Sequence, residues 1–242
     1  MDFIQYGLGR WLHILAGVMW IGLLYYFNFV QGGYFKAATP EALKDAKAKL
    51  APSALWWFRW GAMFTFLTGL VLLGYVHANG QLNGYIIMGA LLATIMFLNV
   101  WLVIWPNQKI ALGIVQGGDA AAAGAKAALA SRHNVLFSGP MALGMLAGPH
   151  FIGSAAGYGH PSLTMGGWIV IALIAALEAN ALFGKQSVLT TVKGVITSSI
   201  VLAFVIMGLL EFMVKKEGGD PDQLLDDLDL LVTDRFPRHR AL

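Results

Sequence analysis

Three long stretches of this chain, residues 11–35, 60–108 and 133–177, contain no Asp, Glu, Lys or Arg. A water-exposed fold cannot run that far without charge, whereas about 20 apolar residues suffice to cross the hydrocarbon of a bilayer. Composition agrees: 57% of the 242 residues are hydrophobic and 12% are charged, against about 25% charged in a soluble domain. Lipid is therefore the solvent for much of the surface. The fold class expected is all-α, an integral membrane bundle of about six transmembrane helices with short surface helices.

The first charge-free stretch holds one span, 11–30, and the second holds two, 54–76 and 84–105, hinged at HANGQLNG. Further spans are expected at 134–152, 167–183 and 190–214. Residues 1–215 thus form a transmembrane domain, and 216–242 an acidic, amphipathic C-terminal tail. No basic n-region or small-residue cleavage site marks a removable signal, so the first span is expected to be kept. Thr39-Pro40-Glu41 reads as cap, first-turn proline and first-turn acid of a surface helix running to Leu50. Asp119 is placed to cap an alanine-rich helix up to Ser131.

The basic residues are distributed unequally. The face reached by the 31–53, 106–132 and 184–189 connections (face B) carries Lys36, Lys44, Lys47, Lys49, Arg59, Lys109, Lys126, Arg132, Lys185 and Lys193. The opposite face A, apart from the tail, carries only Arg10. The positive-inside rule then expects face B in the cytoplasm and both termini outside, in the periplasm if the membrane is the inner (cytoplasmic) membrane of a bacterium. Nothing in this pattern points to nucleic acid.

The chain contains no cysteine, which excludes iron–sulfur ligation, thiolate zinc sites and haem attached through C-x-x-C-H. Haem held by histidine alone stays open. Ionisable and strongly polar groups at membrane depth are costly and mark sites by default. His13, His77 and His150 all fall toward the face A ends of different spans, and a bis-histidine haem needs two imidazoles at one depth. His13 with His150, or with His77, is expected to meet that condition. Arg10, His13, Gly17, Trp20, Leu24 and Asn28 follow one another at helical steps, and Arg10 is placed to pair with a propionate. A second polar group collects toward face B: Asn28, Arg59, Asn99, His133, Asn134, Glu178, Asn180 and Lys193. Arg59 and Lys193 are also of the type that snorkels to headgroups, and Glu178 is expected either to pair with Arg59 or to take part in proton movement.

The segments RWLHILAGVMWIGLLYYFNFVQ, WWFRWGAMFTFLTG, NVWLVIWPNQK and SRHNVLFSGPMALGML, followed by His150, resemble the membrane domain of PuuD-type urate hydroxylases (the urate oxidase N-terminal family) over roughly residues 8–215. The resemblance implies oxidation of urate to 5-hydroxyisourate with electrons leaving through a cytochrome c. Carried over by position, it singles out Arg10, His13, Arg59, Asn99 and His150. Arg59, Glu178 and Asn99 are then the catalytic candidates, and His13, His150, His77 and Arg10 the candidates for holding a b-type haem, with His13 and His150 as iron ligands. Many members continue into a cytochrome c domain; with no C-x-x-C-H in this sequence, a separate soluble or membrane cytochrome c is expected. The competing readings are a non-catalytic accessory subunit of a larger respiratory or photosynthetic complex, and a transporter built on Arg59, Glu178 and Lys193.

Overall fold

A computed structural model describes residues 3–150 and 165–217 of the chain. Residues 151–164, which include the end of the span expected at 134–152, and residues 218–242 of the tail lie outside the described residues. Six long helices make up the fold: α1 (Tyr6–Ala37), α2 (Pro40–Ala78), α3 (Gly84–Ala111), α4 (Ala120–His150), α5 (Met165–Phe183) and α6 (Val192–Glu217). Five of them, all but α4, are long and apolar enough to cross a membrane. The all-α membrane bundle read from the sequence is the architecture observed.

α4 is less apolar and packs among them. It lies antiparallel to α3 over most of its length, tied by the Asn83 side chain to the Gly148 carbonyl near one end and by Asn134 to the Met96 carbonyl toward the other. Between these ties, Gly89 and Gly144 let the two backbones meet. A Cβ on Gly144 would fall 2.8 Å from the Tyr85 carbonyl oxygen and 3.2 Å from the Gly89 Cα. Such small-residue contacts are the usual way helices approach closely in lipid. On its other side α4 packs along α6. Pro140 sits inside α4 without ending it, and the neighbouring Gly139 N–H donates to Ser199 Oγ of α6. A backbone group left without a helical partner must find one locally in a bilayer.

Two surface helices expected as separate elements are continuous with spans. The segment capped by Thr39, whose side chain accepts from the Ala42 N–H, runs through a π-helical stretch at Ala46–Leu50 directly into α2. The alanine-rich helix starts where expected, with Asp119 accepting from the N–H groups of Ala121 and Ala122, and becomes the first half of α4. Neither boundary carries a helix breaker that can act: Pro52 falls in the first turn of an α-helical run, where its missing N–H is tolerated. Similar π-helical stretches occur at Tyr26–Gln31 in α1 and Asn99–Ile104 in α3. All three lie toward face B.

α1 and α2 form a close antiparallel hairpin, with Gly61 against the backbone of Trp20. The core runs from Trp20, Leu24 and Phe58 through Leu92, Met96 and Val100 to Phe137 and Ile174, all essentially buried. The outward side chains Trp11, Leu12, Ile14, Leu15 and Val18 of α1 are exposed, as the lipid-facing side of a span should be.

Candidate functional site

The end of α3 divides the polar residues of the face B half into two groups. On the side toward α2, the Arg59 guanidinium lies flat over the Trp105 ring, its Cζ 3.4 Å from the ring centroid. Trp60 meets Trp101 edge-on at 5.8 Å, and Phe66 stacks on Phe97 at 4.2 Å. These aromatic contacts fix the facing sides of α2 and α3. Within them, Arg59 Nε and Nη1, Trp101 Nε1 and Trp20 Nε1 are buried and have no hydrogen-bond partner among the described residues. Trp20 belongs to the same level, because its backbone abuts Gly61. The only ion pair among the described residues is Asp45 with Lys49, far out on the α2 extension. A cluster of buried donors with no acceptor costs about 1–3 kcal/mol per group until an acceptor arrives. This side of α3 presents unpaired donors and a positive charge, the chemistry that an anion would satisfy.

On the side toward α4 and α5 the asparagine donors have acceptors, although Arg132 Nη1 on α4 is buried without a partner among the described residues. Asn99 Nδ2 donates to Asn134 Oδ1 and to Glu178 Oε2, both at 3.0 Å, and Asn134 Nδ2 donates to the Met96 carbonyl at 2.9 Å. Asn99 and Asn134 are buried. One residue before Asn134, buried His133 contacts the Leu129 carbonyl through Nδ1, and its Nε2 receives a hydrogen bond from Asn180. That pattern requires the neutral ring with its proton on Nδ1, and it leaves neither nitrogen for a metal.

The sequence expectation that Glu178 pairs with Arg59 is therefore corrected. Trp105 carries one side of α3 to Arg59, while Asn99, six residues earlier and about 9 Å away along the axis, carries the other to Glu178. Lys193 is exposed and pairs with nothing among the described residues. Asn28 binds Ser131 and the Leu24 carbonyl and so ties α1 to α4.

The predicted inner stripe of α1 is observed: Trp20, Leu24 and Asn28 are buried, and Arg10, His13 and Gly17 half-buried. His13 Nδ1 is 2.9 Å from the Thr65 carbonyl oxygen and 3.1 Å from Thr68 Oγ1 on α2. With Nδ1 donating to a carbonyl, Nε2 is the unprotonated, ligand-capable nitrogen, the arrangement usual for metal-bound histidine. Gly69 makes room for the ring, since a Cβ there would lie 3.1 Å from His13 Cε1. Arg10 lies over the Tyr6 ring at 4.0 Å, and Tyr6 stacks on Tyr75 at 4.9 Å.

A common depth for the three face A histidines is not what the helices give. His77 lies nine residues beyond Thr68 on α2, about 14 Å further along the helix axis than the level of His13. It lines a cleft of about 480 Å³ between α2 and α3, with Leu73, Gly74, Leu82, Ile87 and Thr94. His150 is exposed at the end of α4, beside the turn that Asn83 ties to Gly148. No hydrogen bond or ring contact joins any two of His13, His77 and His150. Of the three, His13 is the one whose hydrogen bonds leave Nε2 open to a ligand.

Sequence reasoning missed Trp101, Trp105 and Thr65 as partners. The first two were signalled by a pair of tryptophans one turn apart at the end of a span whose neighbour carries a lone arginine. Among known proteins, the family model described as urate oxidase N-terminal matches residues 74–214. No curated protein and no solved structure matches the chain.

Proposed function

From the premise that this chain belongs to the urate oxidase N-terminal family, we propose that it is a membrane-bound oxidoreductase of the urate hydroxylase type. In this reading urate and water yield 5-hydroxyisourate, two protons and two electrons, and the electrons leave singly to a separate cytochrome c.

The observation that carries the reading is the half-buried Arg59, stacked on Trp105 with its buried Nε and Nη1 unpaired among the described residues. Urate is planar, anionic and rich in carbonyl acceptors. A guanidinium offers parallel N–H donors to such a group and is positively charged at any working pH. Arg59 would hold the anion, Trp101 Nε1 would supply a further donor, and the aromatic walls of α2 and α3 would exclude water from it. A b-type haem would supply the one-electron step that links a two-electron substrate to the carrier. His13 would hold it through Nε2 and Arg10 would pair with a propionate; His77 and His150 are the residues from which a second ligand would come.

The purified protein in lipid discs tests this directly. Urate should reduce added cytochrome c, and Arg59→Gln should abolish that reduction. His13→Ala should lose the haem spectrum, while His133→Ala, whose ring nitrogens are both engaged, should keep it. A colourless protein that does not bind urate would replace this reading with that of an accessory subunit of an electron-transfer complex. The same reading places the chain in a bacterial inner membrane with periplasmic termini. A reporter after Leu242 should then be exported and one near Lys47 retained in the cytoplasm; both on one side would overturn the topology.

A further inference from the structure

We propose that Glu178 is a proton-binding site coupled across α3 to the anion site at Arg59, so that anion binding on one side draws a proton onto the carboxylate on the other. The inference rests on the reading of the Arg59 side as the place where urate binds, and extends it to a group that does not touch the substrate.

Glu178 has the attributes of a proton site. Its Oε2 accepts from Asn99, and its Oε1 makes no hydrogen bond among the described residues, so a proton can be held on Oε1 without breaking the existing contact. No cation neutralises it. From α4, His133 is engaged at both ring nitrogens and Arg132 makes no ion pair. From α3, Lys109 lies 5.6 Å from the Trp105 ring, on the Arg59 side. From α6, Lys193 is exposed. On α5 itself no other charge occurs before Lys185, beyond the helix end.

The coupling follows from the π-helical stretch Asn99–Ile104. At its first residue it touches Glu178, and through Trp101 and the following Trp105 it touches the Arg59 side. A bound anion and an ionised Glu178 would be like charges on two sides of one helix, which is about 10 Å across. In a bundle surrounded by lipid such repulsion is weakly screened. Protonation relieves it, and by reciprocity whatever proton uptake does for the anion, the anion does for proton uptake. The proton comes from bulk water and forms one O–H bond on the carboxylate; no bond in urate breaks in this step. Asn134 is a positioning residue: bridging the Met96 carbonyl and Asn99, it fixes the carboxamide that faces Glu178.

Titration calorimetry of the full chain in lipid discs, with urate monoanion as probe and buffers of differing ionisation enthalpy, measures protons taken up per anion bound. The wild type should take up a fraction of a proton. Glu178→Gln should bind urate about fivefold or more tightly where Glu178 is otherwise ionised, with no uptake. Asn134→Ala and Asn99→Ala should shift the uptake profile in the same direction, and the double variant no further than Asn99→Ala alone. Should a variant fail to fold, the wild type still decides: urate must raise the infrared carbonyl band of a protonated carboxyl. Urate binding with no proton uptake at any pH overturns the coupling alone. No urate binding at all overturns the substrate reading, and the coupling with it.

Discussion

The two sides of α3 are built from different polar residues and end in different states of hydrogen bonding. Toward α4 and α5, two asparagines and a glutamate hydrogen-bond one another with the help of one backbone carbonyl, leaving Glu178 Oε1 free. Toward α2, Arg59 and Trp101 bury three N–H groups with no acceptor among the described residues. The first side ties helices together. The second leaves its donors open to an acceptor.

Four substitutions put that comparison at risk. The largest effect belongs to Arg59→Gln, which should weaken urate binding about a hundredfold or more, as expected when one partner of a buried charged pair is removed. A loss under threefold would mean that the anion is held elsewhere. Next comes Asn99→Leu, which strands acceptors on both Asn134 and Glu178. It should destabilise the protein by about 1–3 kcal/mol in an unfolding titration; no change would show that this side is not structural. Smaller and opposite in sign, Arg59→Met should stabilise the ligand-free protein by about 1 kcal/mol, because a half-buried, unpaired cation gives way to an apolar chain. If it destabilises, Arg59 has a partner outside the described residues. Smallest is Trp105→Phe, which keeps a ring under the guanidinium and should cost urate affinity by about 0.5–1 kcal/mol.

The spans were legible because each is a long apolar run with few charges, bounded by charge or by a turn such as HANGQLNG, and the bilayer leaves little choice for such runs. The fusion of the 40–50 helix with α2, and of the alanine-rich helix with α4, was not legible. At those joins the sequence offers only good helix formers and a proline in a tolerated place. For the site, composition and spacing gave Arg59, Asn99 and Glu178 their half of the bundle but not their direction around a helix. The shared half brought Arg59 and Glu178 together; direction, and distance along α3, separate them. His13 shows the converse. Its stripe gave the direction correctly, but counting residues from the helix end misjudged the depth, because α1 begins at Tyr6, ahead of the charge-free run that opens at Trp11.

The wide turn at Asn99–Ile104 makes the molecule unusually sensitive to length at one place. Ordinary substitutions there alter one side chain, whereas the loss of a single residue within the turn would restore regular winding and rotate all that follows by about 100°. Asn99 would still face Glu178, but Trp105 would leave Arg59. Descendants of this chain could therefore drift in sequence across α3 and keep both sides working, yet a one-codon deletion inside the turn would separate them at a stroke. Counting residues between the asparagine and the second tryptophan is thus a sharper test of shared mechanism among relatives than percentage identity.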